Sequence, residues 1–138
     1  MPQLLDDLIG LNMVSVHDMP VVGSQADAEA LVAGASNGQR LAAAGMRHCQ
    51  GGHTAVANGR VLITETMRKV TYNADKTFTA QAGATWAQIH HTLVKHGRAP
   101  LVHQSSGHFT VGGSLGANCH GRDPSQGPLA DTVTAVTV

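Results

Sequence analysis

The sequence predicts an α/β (α+β) fold, and three observations carry that reading. Ser24-x-x-Asp27 and Thr85-x-x-Gln88 each place a hydroxyl three residues before a carboxylate or amide. Such pairs start helices, because their side chains satisfy N–H groups that the first turn leaves unbonded. Residues 41–44 and 61–64 are apolar runs of strand length, the second rich in β-branched residues. Val70-Thr71-Tyr72 and Thr77-Phe78-Thr79-Ala80-Gln81 flank the turn Asn73-Ala74-Asp75-Lys76, the pattern of a hairpin.

In order along the chain, residues 1–17 form an N-terminal segment, acidic and apolar, expected to make one or two helical turns before the extended Met13-Val14-Ser15-Val16. Residues 18–138 are expected to form the main domain. Its first helix, capped by Ser24, carries an apolar stripe of Ala28, Leu31, Val32 and Ala35 and stops at Asn37-Gly38. The second, capped by Thr85, puts Trp86, Ile89, Leu93 and Val94 on one face and stops at Gly97. After Pro100 the chain is a long Ser/Gly/His loop, then a polar Gly/Pro stretch over residues 121–128. Asp131-Thr132-Val133-Thr134-Ala135-Val136-Thr137-Val138 alternates at period 2 and predicts a strand.

Composition narrows the function. With 138 residues, 42% of them hydrophobic, the chain suffices for one domain with a core, against wholesale disorder. Nine Lys plus Arg balance nine Asp plus Glu, which argues against nucleic-acid and polybasic membrane binding. No apolar run reaches the roughly 18 residues of a membrane span. Acids stand where a secretory signal needs cations, at Asp6 and Asp7. A soluble, cytoplasmic protein is expected, with Cys49 and Cys119 as reduced thiols.

Two glycine-rich loops are the candidates for chemistry. Gln50-Gly51-Gly52-His53-Thr54 follows a predicted strand; adjacent glycines can turn successive N–H groups into one concavity for phosphate oxygens, with Thr54 adding a hydroxyl. It matches neither a P-loop nor a Gly-x-Gly-x-x-Gly helix start, and taken alone such a loop is more often a tight turn than a phosphate site. Arg47 is a charge partner for a phosphate or a solvated loop residue. The second loop, Thr110-Val111-Gly112-Gly113-Ser114-Leu115-Gly116-Ala117-Asn118-Cys119-His120-Gly121, spaces Gly112, Gly113 and Gly116 so that backbone donors are expected at the start of a short helix. Two such loops suit a ligand with two linked phosphates, and N–H groups would recognise it without excess basic charge.

Taken in order, the Gly-Gly-His-Thr loop, the strand Val61-Leu62-Ile63, Ala82-Gly83-Ala84-Thr85-Trp86, Thr110-Val111-Gly112-Gly113-Ser114, Ala117-Asn118-Cys119-His120-Gly121 and the Asp131-x-Val133 strand resemble the first half of the flavin domain of vanillyl-alcohol-oxidase-type (PCMH-type) FAD-linked oxidoreductases. The resemblance spans roughly residues 18–138. It implies two α/β subdomains gripping FAD, of which this sequence would hold the first and the start of the second, and hydride transfer from an alcohol, lactone or similar small substrate. It assigns Gln50 to Thr54 to the pyrophosphate, and Thr110, Gly112, Gly113, Ser114, Gly116, Asn118, His120 and Gly121 to the pyrophosphate and the ring side. Ser105 and Ser106 match residues that touch the flavin, and Asn58 one that seats the cofactor.

For His53 two roles stay open. In many relatives this position bonds covalently to the isoalloxazine methyl carbon; in the other role it hydrogen-bonds the cofactor or the loop. The sequence departs from the usual Arg-Gly-x-Gly ordering, with Arg47 further upstream, and the resemblance leaves the rest of the flavin domain and a substrate domain to be expected outside these 138 residues. No catalytic base is nameable. The alternative is an inactive module of this fold, completed by another chain or paired as a homo-oligomer through its last strand.

Rival chemistries find less support. His90 and His91 point about 100° apart on a helix, and His103, His108, His120 and the cysteines show no metal-ligand spacing, so no metal is expected. Cys49 with His48 or His53, and Cys119 with His120, lack a nucleophile elbow and read as packing residues.

Overall fold

Asp6 and Asp7 decide how the chain begins. In the computed structural model, which describes residues 3–7, 9–49 and 51–137, Asp6 Oδ1 accepts from the Asp7 and Asn12 N–H groups. Asp7 Oδ1 accepts from those of Ile9 and Leu11. Carboxylates that capture backbone donors in this way favour a turn over a helix. The expected helical turns are therefore replaced by β1 (Gln3–Leu5), which turns back and pairs antiparallel with β2 (Val14–Val16).

The chain forms two compact units, Met1–Met67 and Arg68–Val138. In the first, β3 (Leu41–Ala44) and β4 (Arg60–Ile63) pair in parallel, Leu41 opposite Arg60. Residues 18–22 run along the other side of β4: Val61 and Ile63 donate to the carbonyls of Asp18 and Pro20, and Val22 donates to that of Ile63. Leu5, Val16, Ala44 and Val61 close the core, so residues expected to precede the domain supply half of it. Each such side chain larger than alanine contributes roughly 1.5–3 kcal/mol when fully buried. Arg60 grips both oxygens of Asp18, with its closest contact at 2.8 Å, and that hydrogen bond holds the Asp18 carboxyl below its ordinary range.

Helix α1 (Gln25–Ala33) starts as expected, with the Ser24 hydroxyl accepting from Asp27 N–H at 3.1 Å. It ends at Gly34 rather than Asn37-Gly38, and the expected apolar stripe buries no residue; Val32 is exposed.

In the second unit the hairpin is β5 (Val70–Tyr72) with β6 (Phe78–Ala80), Lys76 taking a φ of 69° in its turn. Helix α2 (Trp86–Val94) begins with a full capping box between Thr85 and Gln88. It buries Trp86, Ile89 and Leu93 with Val102 and Leu129. Val94, expected on that face, is exposed. Thr85→Ala removes the N-cap acceptor and is expected to cost about 1 kcal/mol, read as a lowered thermal midpoint by circular dichroism; an unchanged midpoint refutes the cap.

Helix α3 (Val111–Gly116) follows, then a 3-10 helix over Leu129–Thr132. The strand expected over 131–138 does not form among the described residues. Asp131 and Thr132 belong to the 3-10 helix, and residues 133–137 pair with no strand. Alternation satisfies one face of a strand, but a strand also needs a neighbour for its N–H and C=O groups. No described helix is long and apolar enough to cross a membrane.

Candidate functional site

A parallel strand pair needs a long crossover. Between β3 and β4 that crossover is residues 45–59, which leaves the carboxyl end of β3 and carries the first glycine loop. Gly52 takes a φ of +64°, a left-handed conformation suited to glycine. Its N–H donates to the Cys49 carbonyl at 3.3 Å, and its carbonyl accepts from Ala55 at 2.8 Å. The His53 imidazole lies over the α-carbon of Gly51, where a Cβ would stand 3.1 Å from its Nδ1. Among the described residues, the N–H groups of Gly51, His53 and Thr54 meet no protein acceptor. Gln50 lies outside the described residues.

Arg47 and Asn58 bracket this loop, and both hold left-handed backbones, with φ of 54° and 58°. Such angles are uncommon for non-glycine residues and cluster at functional sites. Asn58 tolerates the angle well, and its N–H donates to the Ser15 carbonyl at 2.9 Å, fixing the crossover to β2. Arg47 is exposed and makes no ion pair with a described residue.

The second loop is built differently. The N–H groups of Val111 and Gly112 donate to the Ala84 and Ala82 carbonyls, and Gly113 N–H donates to the Thr110 hydroxyl. Ser114 is buried; its hydroxyl accepts from Trp86 Nε1 at 2.9 Å and donates to the Thr110 carbonyl at 2.9 Å. The donors expected to be exposed at Gly112 and Gly113 are thus used inside the unit, because backbone groups near a core must be bonded. Ser106 accepts from the His108 N–H.

Past α3 the chain opens into a groove of about 410 Å³. Ser105, Asn118, His120 and Gly121 line it with Ala117 and Cys119 of the same motif, as do Gln104 and Arg122, which the sequence reading did not single out. Asn118 has a φ of 46° and ends the helix, so that Cys119 N–H reaches back to the Ser114 carbonyl at 2.9 Å. His120 Nδ1 lies 2.7 Å from the Gly121 carbonyl oxygen. A carbonyl only accepts, so Nδ1 carries the proton and Nε2 of the neutral ring is left as an acceptor. Thr110, Gly112, Gly113, Ser114, Gly116 and Ser106 do not line the groove. The one sequence signal for Arg122 was its position as a cation directly after Gly121.

His103 directly precedes the groove residue Gln104. Its Nδ1 is 2.8 Å from the Gln104 carbonyl, and its ring meets His90 edge-on at 4.5 Å. Burial, and then His103, push the His90 pKa down. Its neutral form is favoured in the folded state, so the unfolded state binds the proton more tightly. Stability is fully present above the ordinary value of about 6.5 and falls as pH drops from there to the lower folded pKa. His90→Gln is expected to lose less of its thermal midpoint than wild type between about pH 7 and pH 5; equal losses refute the assignment. No group of three His, Cys, Asp or Glu residues placed to hold a metal occurs among the described residues, and His103, His108 and His120 do not converge into one. Both cysteines are free.

A family model described as "FAD binding domain" matches residues 21–138. The fold is similar to that of cholesterol oxidase from B. sterolicum, with a TM-score of 0.71 and 21% identity. That likeness covers 88% of this chain and 24% of the oxidase, so the chain spans about a quarter of that protein's length. No curated protein matches the sequence.

Proposed function

The chain belongs to the FAD binding domain family, of the vanillyl-alcohol-oxidase type, and on that premise we propose that it is the FAD-holding portion of an oxidoreductase acting on an alcohol, lactone or similar small substrate. The observation that carries the assignment of residues is the first loop. Three N–H groups, of Gly51, His53 and Thr54, lie close together without a described protein acceptor, and the exposed Arg47 guanidinium stands upstream. That donor set suits a diphosphate, which offers acceptors and negative charge and no donors. Gln50 and Asn58 complete the proposed set in this unit.

In the second unit, Ser105, Asn118, His120, Gly121 and Arg122 bring hydroxyl, amide, imidazole, backbone and guanidinium groups to one groove. These suit the polar edge of a flavin cofactor. Thr110 and Ser114 act from behind, fastening α3 to Trp86. When bound, FAD would supply a hydride acceptor, and the residues here would bind and orient it.

His53 is exposed on the loop surface, open to either a covalent bond or a hydrogen bond with the cofactor. The test is a visible spectrum of the purified protein, with and without added FAD, repeated after acid precipitation. Oxidised-flavin bands support the reading, and a colourless protein that takes up no FAD overturns it. Colour in the precipitate that is lost in His53→Ala assigns the covalent role, and colour released to solution assigns the hydrogen-bonded one.

A further inference from the structure

The first glycine loop does not hold its shape alone. A Cβ on Gly52 would stand 2.8 Å from Asn12 Cβ and 3.2 Å from Asn12 Cγ, so the Asn12 side chain walls the α-carbon of the loop's most conformationally free residue. Asn12 is itself held at both ends. Its backbone N–H donates to Asp6 Oδ1 at 3.1 Å, and its side-chain Nδ2 donates to Asp7 Oδ2 at 2.6 Å. Asp7 is fixed in turn by the N–H groups of Ile9 and Leu11 on its other oxygen. A continuous run of contacts therefore joins the acidic turn at residues 6–12 to the left-handed Gly52.

We propose that Asn12 is a positioning residue, tied by Asp7, that sets the backbone of Gly51, Gly52, His53 and Thr54 for the diphosphate of FAD. The proposal rests on the FAD reading for its ligand and on the Asn12–Gly52 contact for its mechanism. Glycine populates left- and right-handed basins about equally, so a loop with two of them keeps its N–H groups aligned only where something outside selects one basin. Asn12 supplies that selection by occupying the space beside Gly52. The Asn12 amide is also the chief reason that the Asp7 carboxyl lies below its ordinary range, as a charge-assisted bond requires.

The test exchanges donor and acceptor. Asn12→Asp keeps the shape of the side chain against Gly52 but sets two carboxylates face to face, breaking the tie. In the double variant Asp7→Asn/Asn12→Asp, the amide at 7 donates to the carboxylate at 12, and the tie is restored in reverse.

Two measurements are made on wild type and both variants: amide hydrogen exchange of Gly52 and Ala55, the hydrogen-bonded amides of the loop, without FAD, and FAD affinity by fluorescence titration. The expected result for Asn12→Asp is faster exchange confined to the loop and FAD affinity weakened about tenfold. The double variant is expected to recover both to within about threefold. Unchanged loop exchange in Asn12→Asp overturns the positioning role, as does altered exchange with unaltered FAD affinity. If Asn12→Asp does not fold, the double variant decides: wild-type exchange and affinity support the tie, and their loss refutes it. A wild-type protein that binds no FAD overturns the proposal's ligand together with the functional reading. In that case, the exchange arm still reports whether Asn12 shapes the loop.

Discussion

Trp86→Ala is expected to lower the stability of the second unit by about 3–5 kcal/mol, the largest effect of any single truncation in this chain. Trp86 has no exposed surface, and Ile89, Leu93, Val102 and Leu129 form the buried cluster with it. Val70, Tyr72, Phe78, Phe109, Val111 and Leu115 pack around that cluster from the hairpin, the loop and α3. A core relaxes only partly around an indole-sized void, so a cavity cost adds to the lost transfer free energy.

Because small domains keep only about 5–15 kcal/mol in total, the variant is expected to leave the second unit largely unfolded on mild heating. Urea unfolding followed by circular dichroism reads the loss, and a cost below about 1 kcal/mol refutes this core. Trp86→Phe separates packing from hydrogen bonding. It keeps an aromatic ring but deprives the buried Ser114 hydroxyl of its indole donor, at an expected further cost of about 1 kcal/mol.

Ser114 also shows where sequence reasoning runs short. Within Thr110-Val111-Gly112-Gly113-Ser114, hydroxyls beside glycines look like ligand donors, and the glycine pattern is real. The partner that takes the Ser114 hydroxyl stands 28 residues earlier, on α2. Nothing local announces it. The readable features are those whose physics is local: the Ser24 and Thr85 caps, the hairpin turn at 73–76, and the stop at Gly97, whose φ is +63°.

Residues 131–138 failed for the complementary reason. Their alternation is local, but a strand is made by a neighbour, and none of the described residues supplies one. At the start of the chain, an acidic and apolar composition predicts one or two helical turns. Asp6 instead takes a backbone N–H from as far as Asn12, and Asp7 one from Leu11, so the chain turns back into the β1–β2 pair. The groove was half legible for the same reason. Asn118, His120 and Gly121 sit in a recognisable motif, whereas Gln104 and Arg122 enter it only because the chain folds back at the end of α3.

Gly112 and Gly116 share a motif and an α-helix, and they are expected to respond to alanine in opposite directions. At Gly112 a Cβ would stand 2.8 Å from Ala82 Cβ and 2.9 Å from the Ala82 carbonyl oxygen, the same oxygen that accepts the Gly112 N–H. Backbone cannot step aside as a flexible side chain can, so Gly112→Ala forces α3 away from residues 82–84. The expected cost is about 1–3 kcal/mol, with the Ser114–Trp86 bond weakened as α3 shifts.

At Gly116 a Cβ meets nothing within 4 Å, and the position is helical and exposed. Gly116→Ala is therefore expected to raise stability, by at most about 1 kcal/mol, through helix propensity alone. Thermal midpoints of the two variants decide the structural half of the argument, and a Gly112→Ala protein as stable as wild type refutes the close approach. FAD titration decides the rest. Weaker FAD binding by the more stable Gly116→Ala protein means that the open space beside Gly116 belongs to the cofactor. Unchanged binding removes Gly116 from the expected contacts and leaves Ser105, Asn118 and His120, which line the groove, as the candidates in the second unit.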